Sequence, residues 1–413
     1  MRRNKAIRGD ACSRTASALA GGRHRPHPLA RSGAAVLALV WALSAAGAKV
    51  PPFSDSSALG QVSGDERRVW SQGNEIAQAI DRGGMIYEDP ATTAYVQGVM
   101  DRLFPEFKGR TKVAILKSAQ LNAFALPNGR IYINQGLLAR FRNEAQLATL
   151  LGHEGTHFTN RHGYQNEMSA KDASGFALFG AMLLPGAIGL LPQLLAISSV
   201  YGFSREMETE ADVQGYARLK KAGYDVHESP RVFEHLMADV KAEDIKEPFF
   251  FATHPKLADR VQNMKKLSAG SPTGGDGTSN LDYANKMAQL RLDSLEHMLS
   301  MGRAKSALIM LSDPERLPEF QPQVQYYVGE AYRLRGQEGD VKLAEEAYLK
   351  AIEAVPEFPP SYRALGVLRL KANHYTDAQK YLDRYLELAP DAPDRGYVES
   401  YLNIARKKAG GQP

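Results

Sequence analysis

The stretch His153-Glu154-Gly155-Thr156-His157 constrains the fold more than any other part of the chain. Two imidazoles four positions apart share one face of an α-helix and stand close enough there to meet, so the pentad is read as helical. On that face both rings can grip one zinc ion, at about 2.0–2.1 Å through one nitrogen each. Glu154 can then take a proton from a water that the metal acidifies and pass it to a leaving amine. Two donors do not complete a catalytic zinc site, so a third must come from another element brought against the pentad helix. That helix is read from about Asn143, with Leu147, Leu150 and Leu151 as its buried side.

Residues 204–212, Ser204-Arg205-Glu206-Met207-Glu208-Thr209-Glu210-Ala211-Asp212, offer such an element. Glu206, Glu208 and Glu210 compete for the ligand position, and spacing does not rank them. Asp212 stands one turn beyond Glu208, where it can hold the second nitrogen of a ligand histidine. A solvated acidic face is the plain alternative. Between the two candidate segments, Asp172 and Arg205 bracket 32 residues without a formal charge (173–204). A single membrane crossing there would put the two halves of the site on opposite sides, and two crossings need about 40 apolar residues. The expectation is a hydrophobic hairpin that is buried, covers the cleft or touches a membrane peripherally.

The pI near 9.0 points away from the body of the protein. Residues 1–48 hold eight Lys/Arg and one acid, leaving 43 basic against 45 acidic residues in the remainder. No case for a nucleic-acid partner survives that balance. The uncharged run Ser32–Ala48, with an apolar centre at 35–43 and Ala46-Gly47-Ala48 at its end, reads as a secretory signal peptide over 1–48. Its Arg-rich, acid-poor start also fits a mitochondrial transit peptide, and an uncleaved membrane anchor is the third option. The only cysteine, Cys12, lies in this leader, so disulfides and thiolate ligands play no part in the body.

Amphipathic patterns predict helices over Glu66–Ile80 and Thr92–Leu103, separated by Asp89-Pro90. Strands are expected at Lys112–Leu116 and Arg130–Asn134, joined through the Pro127-Asn128-Gly129 turn. A metallopeptidase domain over 49–266 would then be followed by a flexible Gly/Ser-rich linker at 267–280 and a helical repeat domain at 281–410. In that last part Tyr362, Leu365, Gly366, Ala378 and Pro390 hold the small and large positions of a tetratricopeptide repeat. Ala344, Tyr348, Ala351 and Pro356 align as the preceding unit, with Val328, Gly329 and Tyr332 in its first helix. A degenerate unit is read over Met287–Ser312.

Taken together, Asn122-Ala123-Phe124-Ala125-Leu126-Pro127-Asn128-Gly129 with Ile131-Tyr132, the pentad followed by Arg161-His162, Ser204-Arg205-x-x-Glu208-x-x-Ala211-Asp212, Thr253-His254-Pro255 and the C-terminal repeats resemble the BepA-like zinc metallopeptidases, relatives of HtpX and the CAAX prenyl proteases. The resemblance spans most of 58–405. It implies an α+β fold: a mostly helical gluzincin domain with a small edge-strand sheet, then an all-α tetratricopeptide-repeat domain. It also implies one zinc per chain, Glu208 as third ligand, Asp212 as its orienting or proton-donating partner, and His254 near the metal as a displaceable fourth ligand. The strand Ile131-Tyr132-Ile133 would be the sheet edge to which an extended substrate adds. His162, five residues past His157, falls off the ligand face and is expected to be structural.

The function so implied is a periplasmic zinc endopeptidase that removes misfolded or stalled envelope proteins and assists outer-membrane protein assembly. Its partners would be unfolded clients and the β-barrel assembly machinery. Two further readings stay open: a chaperone scaffold with a latent zinc site, and a membrane-embedded protease. A zinc aminopeptidase is disfavoured, since no G-x-M-E-N element is present. Two departures from the family pattern stand out. Gly155 replaces a bulky aliphatic residue, which costs about 1 kcal/mol of helix propensity relative to alanine and forfeits a packing contact. Asn128-Gly129 replaces a Gly-Gly turn, a mild change because asparagine tolerates left-handed angles.

Overall fold

The computed structural model describes residues 50–169, 203–243, 257–313 and 323–410. The expected leader 1–48, nearly all of the hydrophobic 173–204 stretch, and His254 lie outside them.

Helix α1 (Gly64–Arg82) starts where the Ser63 hydroxyl accepts from the Glu66 amide, and it buries Val69, Ile76 and Ile80. Helix α2 (Pro90–Leu103) starts at Asp89, whose carboxylate accepts from the Ala91 and Thr92 amides, with Pro90 in the first turn. Strands β1 (Lys112–Leu116), β2 (Ala123–Ala125) and β3 (Arg130–Asn134) form one sheet in the order β1-β3-β2. β3 runs parallel to β1 and antiparallel to β2.

This order corrects one expectation. Ile131, Tyr132 and Ile133 belong to the central strand, whose hydrogen-bonding sides are both taken, so they are not the sheet edge. The far side of β1 is partly closed by residues 85–87, through Tyr87 N–H to Ile115 O and Lys117 N–H to Met85 O. Among the described residues β2 is the other edge. Asn134 N–H donates to Asn122 O and Leu126 N–H to Arg130 O. By the two-residue alternation of an antiparallel ladder, the backbone groups of Ala123 and Ala125 point away from β3.

β3 leads through the short helix α3 (Gln135–Leu138) into α4 (Glu144–Thr159), which carries the pentad. Asn143 caps α4 by accepting from the Gln146 amide. The expected buried side of Leu147, Leu150 and Leu151 proves to be one part of a helix enclosed all round, for every residue from Ala145 to Thr159 is buried. At its end Arg161 adopts φ of 59°, a left-handed angle that turns the chain sharply into α5 (His162–Ser169). A buried ion pair to Glu66 and a hydrogen bond to Pro51 O hold that arginine in place.

Helix α6 (Arg205–Lys221) crosses α4 at two glycines. A Cβ on Gly215 would stand 2.8 Å from the Gly152 carbonyl carbon and 2.9 Å from the His153 nitrogen. Only a pair of glycines lets the two backbones meet this closely. Helices α7 (Glu228–Glu243) and α8 (Leu257–Ser268) complete the surround.

The stretch expected to be a flexible linker is pinned at 276–277. Ala145 N–H donates to Gly277 O at 2.9 Å, and Arg102 pairs with Asp276 at 2.5 Å. Beyond it, α9 (Asn280–Lys286), α10 (Ala288–Ser300) and α11 (Ala304–Leu311) share one hydrophobic cluster with the catalytic helices: Tyr283, Leu290, Met298 and Ala307 pack with Leu137, Phe141 and Leu147. Backbone carbonyls just before α4 are bound from these helices, by Tyr283 Oη to Leu138 O and by Arg291 Nη2 to Phe141 O. Buried Arg140 reaches Asp239 of α7 at 3.3 Å and the Ser306 carbonyl at 3.4 Å. Val50–Pro413 accordingly forms a single compact unit.

Two helix pairs follow, α12 (Val324–Arg335) with α13 (Asp340–Ala354) and α14 (Pro359–Lys371) with α15 (Tyr375–Leu388), then α16 (Arg395–Ala409). Gly329 lies against the Tyr348 ring and Gly366 against Leu382, so each pair meets at a residue without a side chain. Among the described residues no helix is long and apolar enough to cross a membrane.

Candidate metal centre

The close crossing of α4 and α6 brings three donors together. His157 Nε2 lies 3.1 Å from His153 Nε2, and Glu208 oxygens lie 3.4 Å and 3.6 Å from the two nitrogens. All three side chains are buried. Ligands about 2.0–2.1 Å from a tetrahedral zinc stand about 3.3 Å from one another, so this triangle matches one face of that polyhedron. Two imidazole nitrogens facing each other at such a distance hold either a shared proton or a metal ion between them. The donor set, two imidazoles and a carboxylate with a fourth position left over, is the composition of catalytic zinc sites. The residues therefore fit zinc.

Of the three competing acids, Glu206 is exposed and Glu210 turns aside to Asn160 and Gln214. Glu208 alone places its carboxylate among the imidazoles. Glu154 follows His153 on the same helix and is fully buried.

Asp212 lies behind His153. Its Oδ1 is 2.9 Å from His153 Nδ1 and 2.6 Å from Arg260 Nη2 of α8, and Arg260 Nε reaches Oδ2 at 3.3 Å. Burial works against the Asp212 charge, but the Arg260 charge and the His153 hydrogen bond outweigh it and hold the carboxyl below its usual range. An ionised, doubly held carboxylate orients the ring and is a poor proton donor, so the placement favours the orienting role of Asp212 over the proton-donating one. For His153, burial and the Arg260 charge disfavour protonation. Hydrogen bonds donated to Asp212 and Glu208, with the Glu208 charge, prevail and raise its pKa to about 9.

His162 stands where helical periodicity does not put it. The left-handed turn at Arg161 folds the chain back, so His162 Nδ1 lies 2.9 Å from His157 Nδ1. Phe203 stacks on the face of the His157 ring, centroids 3.9 Å apart and planes 15° from parallel. Arg260, Phe203 and the glycine pair had no sequence signal, because each acts from a separate helix or loop. His162 follows the pentad closely in sequence, but its reach depends on a backbone angle.

Gly155 also acquires a reason. A Cβ there would meet the Phe104 ring at 2.4 Å and the Met100 methyl at 2.8 Å. The contact expected to be lost is supplied from the other side, by α2 and the residue that ends it.

Residues 90–268 match the peptidase family M48 model. Among curated relatives, the mitochondrial metalloendopeptidase OMA1 of Schizosaccharomyces pombe is 26% identical over 52% of this chain and 65% of its own length. The OMA1 of Saccharomyces cerevisiae is 31% identical over 44% of this chain and 51% of its own. The beta-barrel assembly-enhancing protease of Yersinia pestis is 28% identical over 44% and 40%. The chain spans about half the length of the curated relatives it matches.

Proposed function

From the match of residues 90–268 to the peptidase family M48 model and the zinc-compatible donor triangle, we propose a zinc-dependent endopeptidase of the bacterial periplasm that removes misfolded or stalled envelope proteins and assists outer-membrane protein assembly. The observation that carries the peptidase chemistry is the buried His153–His157–Glu208 triangle beside Glu154. Bound zinc supplies Lewis acidity, which polarises a scissile carbonyl and makes a nearby water nucleophilic at neutral pH. Glu154 takes the proton that this water gives up and returns it to the leaving amine. Asp212, itself held by Arg260, accepts from His153 Nδ1–H, so that Nε2 faces the donor triangle.

The edge β2, not β3, is the place for an extended substrate. Ala123 and Ala125 turn their backbone groups away from β3, and a small cavity beside the end of β2 is lined by Ala125, Leu126, His157 and Phe203. Main-chain pairing there selects unfolded segments and is indifferent to most side chains. The helix pairs from Val324 onward support the tetratricopeptide reading and a surface for clients or assembly partners. Relatives named for β-barrel assembly and the 1–48 leader favour the periplasm. The OMA1 relatives, with the Arg-rich start of that leader, favour a mitochondrial location as the second reading.

Glu154→Gln tests the proposal. Zinc content should be retained while cleavage of casein or a misfolded barrel protein falls by at least about a hundredfold. If Glu154→Gln sustains envelope function as well as wild type, cleavage is not the main role and a scaffold is. His254→Ala in the same assay should raise basal cleavage if that residue keeps the enzyme latent.

A further inference from the structure

We propose that His162 is a positioning residue of the zinc site, holding His157 through an imidazole–imidazole hydrogen bond. The proposal rests on the reading of His157 as a ligand. His157 turns Nε2 toward the other donors, 3.1 Å from His153 and 3.6 Å from Glu208. A ring that offers the Nε2 lone pair to a metal carries its proton on Nδ1, and that proton needs an acceptor. His162 Nδ1, 2.9 Å away, supplies a lone pair there. His162 is then protonated at Nε2, which faces Glu210 Oε2 at 3.9 Å. Glu210 is itself held by Asn160 Nδ2 at 2.8 Å and Gln214 Nε2 at 3.1 Å.

The two ligand histidines are thus fixed by different chemistry. His153 leans on a carboxylate backed by an arginine, whereas His157 leans on a neutral ring backed more distantly by a carboxylate. Both His157 and His162 are buried, so loss of the acceptor leaves the His157 N–H facing the side chain put in its place. The arrangement depends on Arg161, whose left-handed backbone ends α4 and returns the next residue toward it.

A packing role for His162 makes the opposite forecast for substitutions. Its ring centroid is 5.0 Å from His157 and 6.0 Å from Phe203, so packing alone would favour a ring at this position. His162→Phe keeps a ring without an acceptor. His162→Asn and His162→Leu match each other in shape, and only asparagine can accept. Zinc affinity of the full chain is read by competition with a chromophoric chelator, and the thermal transition of the metal-free protein reports folding. His162→Phe and His162→Leu should weaken zinc by about 10–100-fold, while His162→Asn loses less than about tenfold. Wild-type affinity in His162→Phe, or a loss of tenfold or more in His162→Asn, overturns the proposal. If neither apolar variant folds, His162→Asn decides by the same threshold. His157→Ala is the control for the underlying reading: tight zinc binding in it removes His157 from the site altogether. Loss of zinc in His157→Ala alongside wild-type affinity in His162→Phe overturns only the role of His162.

Discussion

The Gly152–Gly215 crossing makes a quantitative forecast about Gly215→Ala. The added methyl carbon would lie 2.8 Å from the Gly152 carbonyl carbon, 2.9 Å from its oxygen and 2.9 Å from His153 N. Ordinary carbon contacts need about 3.5 Å, so the two helices must part by roughly half an ångström or more. All three obstacles are backbone, so no rotamer change relieves them. Such overpacking costs about 1–3 kcal/mol, enough to outweigh the ~1 kcal/mol that alanine gains over glycine in a helix. The separation also acts on the site, because His153 follows Gly152 directly while Asp212 and Glu208 lie on the same helix as Gly215. Zinc–ligand distances in well-formed sites fall within about 0.2 Å of their usual values, so a shift of about half an ångström should lower affinity by about tenfold or more. Thermal unfolding of metal-free protein and chelator competition measure the two effects separately. Gly98→Ala on α2 is the control, since nothing lies within 4 Å of its added carbon. It should raise the midpoint. If Gly215→Ala also raises the midpoint and keeps wild-type zinc affinity, close backbone approach does not build this site.

Gly155→Ala should likewise destabilise the protein despite better helix propensity, because the Phe104 ring stands 2.4 Å from the new carbon. Combining it with Phe104→Leu should recover part of the loss in a double-mutant cycle, and strict additivity would contradict the contact. For pH, the folded-state pKa of His153 is raised to about 9 from 6.5. In metal-free protein its protonated ring therefore stabilises the fold fully below about pH 6.5, and that contribution is lost as pH rises through 9. Zinc must displace the same proton, so its apparent affinity should weaken about tenfold for each pH unit below 9. Melting of chelated protein between pH 6 and 9, beside zinc titrations over that range, checks both signs; zinc binding that is flat with pH contradicts the assignment. A chain ended at Ser268 loses Tyr283, Leu290 and Met298 from the core around α4 and should show no cooperative melting by circular dichroism. One ended at Asp313 should melt cooperatively and bind zinc.

Where a local pattern sufficed, the reading from residues came close to the structure. The strands at Lys112–Leu116 and Arg130–Asn134 carry apolar runs bounded by turn signals, and both lie where they were read. The first helix extends two residues beyond expectation at both ends and the second two residues at its start, with starts set by caps at Ser63 and Asp89. β2 escaped because three residues carry no period. With it went the strand order, and so the edge was assigned to the strand that proves central. The segment around Gly277 looked like a tether because glycine and serine composition signals flexibility, whereas a single hydrogen bond to the start of α4 cannot be read from composition.

The sequence by itself determined the donors: two imidazoles at a helical spacing, a glutamate beside the first, and a short acidic run downstream. Those are properties of spacing and residue type, which a helix converts directly into a shared face. Which acid turns inward, how closely its helix approaches, what holds each ring nitrogen, and which strand is the edge were decided only by the tertiary structure. Each depends on backbones meeting at Gly152 and Gly215, on one left-handed angle at Arg161, or on Arg260 arriving from a distant helix. Distances between segments are set by packing, and packing has no period along the chain.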